Sequence, residues 1–101
     1  MPAVTIRILA PMSEQLGLAR DGKRAMLEMA FEPGACIRSV IMFLTEQYPA
    51  FRTIALDPVT GRLIRQILLT VNGQLLTEPD AYDMPLKEHD EIVLLPMIAG
   101  G

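Results

Sequence analysis

From Ala3 to Leu9 the side chains alternate, with Val4, Ile6 and Ile8 on one side and Thr5 and Arg7 on the other. A period of two predicts a strand with one buried face. Residues 12–24 (MSEQLGLARDGKR) are polar, and Gly17 and the Asp21-Gly22 pair mark turns within them. A second alternation sets Leu27, Met29 and Phe31 against Met26, Glu28 and Ala30, until Glu32-Pro33-Gly34 breaks it. The period then changes. Ile37, Val40, Ile41, Leu44 and Tyr48 recur at helical spacing as a one-sided apolar stripe, with Arg38, Thr45 and Glu46 on the outer face. Leu44 is therefore expected in the core and Met42 outside it. No Ser, Thr or Asp precedes the stripe, which leaves Gly34 as the expected N-cap, and Pro49 is expected to stop the run.

Residues 50–66 are the least regular stretch, with Asp57-Pro58 and Thr60-Gly61 as turn signals. Ile67, Leu69 and Val71 predict a third strand that ends in Asn72-Gly73, a hairpin-type turn. Residues 77–91 read as loop, and Ile92 to Leu95 as a short, wholly apolar, central strand that Pro96 ends. The order is strand, strand, helix, strand, strand. A single helix with one apolar side must lie on one face of one sheet and leave the other face partly open. That makes the class α+β.

Composition narrows the chemistry. A chain of 101 residues is expected to be one domain, 1–101, with a single core. One cysteine excludes an internal disulfide and a multi-cysteine metal site, and His89 is the only histidine, so neither a metal nor a catalytic residue is expected. Nine Lys and Arg against twelve Asp and Glu, without a basic block, argue against nucleic acid as the partner. No apolar run reaches the ~18–20 residues of a membrane span, and MPAVTIRILAP lacks the pattern of a signal peptide. A cytoplasmic protein is expected.

The candidate reactive residues have plain readings. Cys36 near the helix start has no base beside it in sequence, so it reads as a small core-facing residue. His89, in Lys87-Glu88-His89-Asp90, reads as a solvated turn residue. Six acidic residues (Glu78, Asp80, Asp83, Glu88, Asp90, Glu91) crowd into 78–91, either as a solvated loop or as a patch facing a basic partner. Arg52, Arg62 and Arg65 either grip an anion or lie in solvent.

The end of the sequence is different. Pro96-Met97-Ile98-Ala99-Gly100-Gly101 leaves a central strand, begins with a stiff residue, carries two large apolar side chains and narrows to two glycines. Residues 96–101 are expected to form a flexible tail that reaches roughly 20 Å when extended. A terminus without side chains fits a narrow channel that any Cβ would obstruct. An enzyme acting on a terminal carboxylate needs such a terminus, with Pro96, Met97 and Ile98 as docking contacts.

At Leu69-Thr70-Val71-Asn72-Gly73-Gln74, at Pro85 to Pro96, and at Gly100-Gly101 the sequence resembles the MoaD/ThiS-like family of sulfur carrier proteins. The resemblance implies the β-grasp fold of ubiquitin, with ββαββ order and a mixed sheet packed on one main helix. It implies that a ubiquitin-activating-type adenylyltransferase uses ATP and magnesium to adenylate the Gly101 carboxylate. Sulfur then replaces AMP, and the thiocarboxylate passes to a sulfur-accepting synthase subunit. No cofactor is bound by the carrier itself. Ala10 to Gly17 lacks the Phe and Arg common in molybdopterin-synthase small subunits, whereas Leu56-Asp57-Pro58 and Gly61-Arg62-Leu63 look more like carriers that feed cysteine synthesis. A ubiquitin-like modifier joined to lysines through Gly101, and an interaction domain with an inert tail, remain as alternatives.

Overall fold

The two alternating segments pair first. In the computed structural model, which describes residues 2–76 and 79–96, β1 (Ala3–Ile8) runs antiparallel to β2 (Ala25–Ala30), with Val4 opposite Met29 and Ile6 opposite Leu27. A short α1 (Met12–Gln15) in the connection buries Met12 and Ser13, and the Ser13 hydroxyl donates to the Lys23 carbonyl at 2.6 Å. The main helix α2 (Ile37–Gln47) buries Ile37, Val40, Ile41 and Leu44 as its stripe predicted, and Met42 is exposed.

Three short elements correct the sequence reading. Pro49 ends α2 and also opens α3 (Pro49–Ala55), where the first helical position needs no N–H. The first third of the supposedly irregular 50–66 stretch is therefore helix, and Phe51 and Ala55 bury completely. After β3 (Ile67–Val71), Asn72 and Gly73 both take positive φ, 51° and 84°, and lead into β4 (Gln74–Leu75). Two left-handed residues in a row match the twist of a tight hairpin. Part of the expected 77–91 loop is a tight helical turn, Pro79–Asp83.

The N-cap also differs from expectation. Gly34 sits at φ 94° inside a turn closed by the Ala35 N–H on the Glu32 carbonyl at 3.1 Å. Cys36 is the N-cap, and its backbone N–H donates to the Ser39 hydroxyl at 3.1 Å. Ser39 supplies the returning half of a capping box, so the signal lies inside the helix rather than before it. Cys36 is half-buried at this terminus rather than turned into the core.

The last strand, β5 (Glu91–Pro96), takes the centre of the order β2-β1-β5-β3-β4, parallel to β1 and antiparallel to β3. This is an α+β mixed sheet of the β-grasp type. Val4, Ile6, Ile8, Met29, Leu69, Val71, Ile92 and Leu94 bury against the helices. The opposite face carries Thr5, Arg7, Met26, Glu28, Leu68, Thr70, Leu75, Val93 and Leu95, each exposed or half-buried. The open face expected from a single helical layer is there.

Candidate functional site

β5 carries the described chain to its last residue, Pro96. Its start is held by Asp90, only 6% exposed, whose carboxylate accepts from the Lys87 N–H at 2.8 Å and the Asn72 amide at 2.9 Å. The Asn72 side-chain Oδ1 in turn accepts from the Glu91 N–H at 2.9 Å. The β3–β4 turn and the root of β5 are thereby fastened together, and a buried carboxylate is kept satisfied. At its other end Pro96 lies half-buried opposite Ile67. Of the residues expected to form the site, Pro96 is placed here. Met97, Ile98, Gly100 and Gly101 lie outside the described residues.

The open face runs up to Pro96. Leu95, one residue before Pro96, stands opposite Leu68, and Val93 stands opposite Thr70 and beside Arg7. Leu75 and Met26, 43% and 67% exposed, extend the apolar surface to both edges. A partner that grips the fold here also lies beside Pro96, the last described residue. The sequence signal for this surface is the second member of each alternation, which the fold does not use.

The acidic segment does not act as one patch. Asp83 hydrogen-bonds Arg38, Asp90 is internal, Glu91 faces Arg7, and Glu88 lies near exposed His89. The hydrogen bond from Arg38 to Asp83, and the attraction between their charges, raise the Arg38 pKa above its ordinary value. Glu78 lies outside the described residues. Residues adjacent in sequence here point to separate partners, so neither a single patch nor a plain solvated loop describes them.

Arg52 and Arg62 come together with Arg38 around an open cleft between α2 and the turn after α3, and Arg65 lines a neighbouring hollow. Glu46 and Asp57 share the cleft and offset two of its three arginine charges, Arg38 is already paired with Asp83, and all three sequence-singled arginines are exposed. Nothing in this arrangement selects an anion. Among the described residues no three His, Cys, Asp or Glu side chains are grouped to hold a metal, and no helix is long and apolar enough to cross a membrane.

Comparison with known proteins follows the same lines. A sequence model of the ThiS family matches residues 6–101, through the Gly-Gly pair. No curated protein sequence matches. Among solved structures, the fold is similar to that of SAMP1 from Haloferax volcanii, with TM-score 0.78, 19% identity, and coverage of 98% of this chain and 99% of that one. It is also similar to a putative molybdopterin converting factor, subunit 1, from Pyrococcus furiosus, with TM-score 0.71, 17% identity, and coverage of 97% and 100%. A third similar structure is the BexX/CysO complex of Amycolatopsis orientalis, with TM-score 0.69, 21% identity, and coverage of 97% and 99%. At these identities the likeness establishes the fold.

Proposed function

Because the chain belongs to the ThiS family of ubiquitin-fold sulfur carriers, we propose that it carries sulfur as a thiocarboxylate on Gly101. The observation that carries this reading is the extent of the family match, which runs from β1 through Gly100-Gly101. A carboxylate is a poor acyl donor, so a partner must activate it first. In the proposed sequence an adenylating enzyme of the ubiquitin-activating type joins the Gly101 carboxylate to AMP, consuming ATP with magnesium and releasing pyrophosphate. A sulfur nucleophile then attacks the acyl carbon, a C–S bond forms and AMP leaves. The carrier contributes the acyl group and its delivery, and the partners contribute catalysis.

The partners proposed are that adenylating enzyme and a sulfur-accepting synthase subunit. The solved BexX/CysO complex and the Pyrococcus converting-factor subunit support a partner-bound carrier of this fold. Molybdopterin and cysteine synthesis are the two proposed destinations of the sulfur. Mass spectrometry of the protein purified from its own host tests the reading. The expected mass is that of the chain with one carboxylate oxygen replaced by sulfur. Gly101 found instead in branched lysine peptides would favour the modifier alternative, which the fold shared with SAMP1 keeps in play.

Docking is proposed to use the open sheet face together with Met97 and Ile98. Exposed apolar groups beside a reacting terminus imply a partner surface. Ile98→Asp is expected to weaken binding to the adenylating enzyme at least about tenfold, near 1.4 kcal/mol, with unchanged unfolding. Titration of both proteins against that enzyme checks it, and equal affinities would confine recognition to the folded body.

A further inference from the structure

We infer that β2 is an interface between two copies of this chain, which pair antiparallel along its free edge with Met26 on the two-fold axis. The order β2-β1-β5-β3-β4 leaves β2 and β4 at the edges of the sheet. β4 is only two residues long, and so short an edge resists further pairing. β2 has six residues, without a proline, a lysine or a break in its register with β1. The ladder also fixes which backbone groups point outward. The Phe31 N–H donates to the Pro2 carbonyl at 3.0 Å, and bonded pairs recur at every second residue of an antiparallel ladder. Ala25, Leu27 and Met29 therefore turn their N–H and C=O groups toward β1. Met26 and Glu28 turn theirs to the free edge, where no backbone group meets them among the described residues.

A free edge alone does not choose a partner, but the side chains along this one do. Arg24, Met26 and Glu28 are all exposed and stand at every second position. A two-fold contact requires a surface that is its own complement. Read in the opposite direction, arginine, methionine, glutamate becomes glutamate, methionine, arginine. Pairing about Met26 thus sets each Arg24 opposite the other copy's Glu28. Within one chain the two charges stand roughly 13 Å apart along the strand and cannot meet. Neither belongs to an ion pair among the described residues. Opposite charges directly across a ladder stabilise it, and like charges destabilise it. This selects the register. An axis at Leu27 would set Glu28 against apolar Met26, and one at Glu28 would set two carboxylates face to face. With the axis at Met26 the two methionines, 67% exposed in the single chain, cover one another. Half-buried Leu27 then meets the other copy's Ala25 on the helical side. β1 separates β5 from this edge, so the paired copies leave Pro96 and the open face uncovered.

Sedimentation velocity over a series of protein concentrations, with a thermal melt of each variant, tests the inference. The wild-type chain is expected to dimerise reversibly as concentration rises. Arg24→Glu and Glu28→Arg each turn both cross-strand pairs into like-charge pairs, and each should weaken the dimer about tenfold with an unchanged melt of the monomer. Mixed in equal amounts, the two variants should pair with each other as tightly as wild type, because every cross-strand pair is then opposite in charge again. Met26→Pro removes the donor at the axis, and an edge strand tolerates proline where its missing N–H faces outward. That chain should stay folded and monomeric. A wild-type chain that remains monomeric throughout overturns the inference. A dimer that ignores both charge reversals, or a mixture no tighter than the variants alone, places the contact on another surface or register and overturns it equally.

Discussion

Deletion of Gly101 is expected to abolish adenylate and thiocarboxylate formation while leaving the fold intact. On the proposed mechanism the reacting carboxylate reaches the partner's catalytic groups along an arm that starts at Pro96. Removing one residue shortens an extended arm by ~3.3–3.6 Å. A misplacement of only ~1 Å can cost on the order of a hundredfold in rate. The shorter chain still ends in glycine, at position 100, so the deletion tests position rather than residue type. Gly101→Leu tests the other requirement, because its side chain would obstruct a channel shaped for glycine. Among the described residues the core runs from Val4 to Leu94. Stability should therefore move by no more than about 0.5 kcal/mol. ATP–pyrophosphate exchange and the mass of the product read the first effect, and denaturant melts read the second. A truncated chain that still forms a thiocarboxylate would remove Gly101 from the mechanism.

What the sequence revealed depended on how many residues each element spends on its pattern. β1, β2 and β3 each show a full alternation, and α2 shows three turns of apolar stripe, so their buried faces could be read directly. Asn72-Gly73 announced its turn because few other pairs tolerate positive φ at both positions. α3 was hidden. Its seven residues contain only Phe51 and Ala55 as fully buried members, too few to show a period, and its opening proline imitates a stop. The acidic run misled for another reason. Proximity in sequence put Asp83, Asp90 and Glu91 in one group, but a helical turn and a strand start send them to Arg38, Asn72 and Arg7 respectively. On the open face, alternation placed Arg7, but only the packed structure shows that its Nε is buried without a partner among the described residues. The glycine pair stood out in the sequence, and the role proposed for it rests on family resemblance.

Phe51→Ala is expected to cost about 3–5 kcal/mol, the usual range for emptying a large aromatic site in a closed core. Phe51 is 0% exposed and belongs to the same cluster as Leu44 of α2 and Leu94 of β5. A helix as short as α3 has no stability of its own, since isolated helices below ~12–15 residues are marginal. Its attachment comes from Phe51 and Ala55, and the following segment is tied on by the Ile64 N–H to the Ala55 carbonyl at 2.9 Å. The cavity left by alanine should therefore loosen the turn at Asp57–Arg62 as well as the core. Leu44→Ala, also at a 0% exposed site, should cost about 2–5 kcal/mol. Met42→Ala, on the outer side of α2 at 56% exposure, should stay within about 0.5 kcal/mol. Denaturant melts of the three variants give the order. α3 packs on the face of the sheet opposite Arg7 and Met26, so Phe51→Ala should retain the wild-type KM in pyrophosphate exchange at temperatures where it remains folded. A Phe51→Ala protein that melts like wild type would show that α3 is not packed into the core, and one that stays folded but loses affinity would place the docking surface on the helical side.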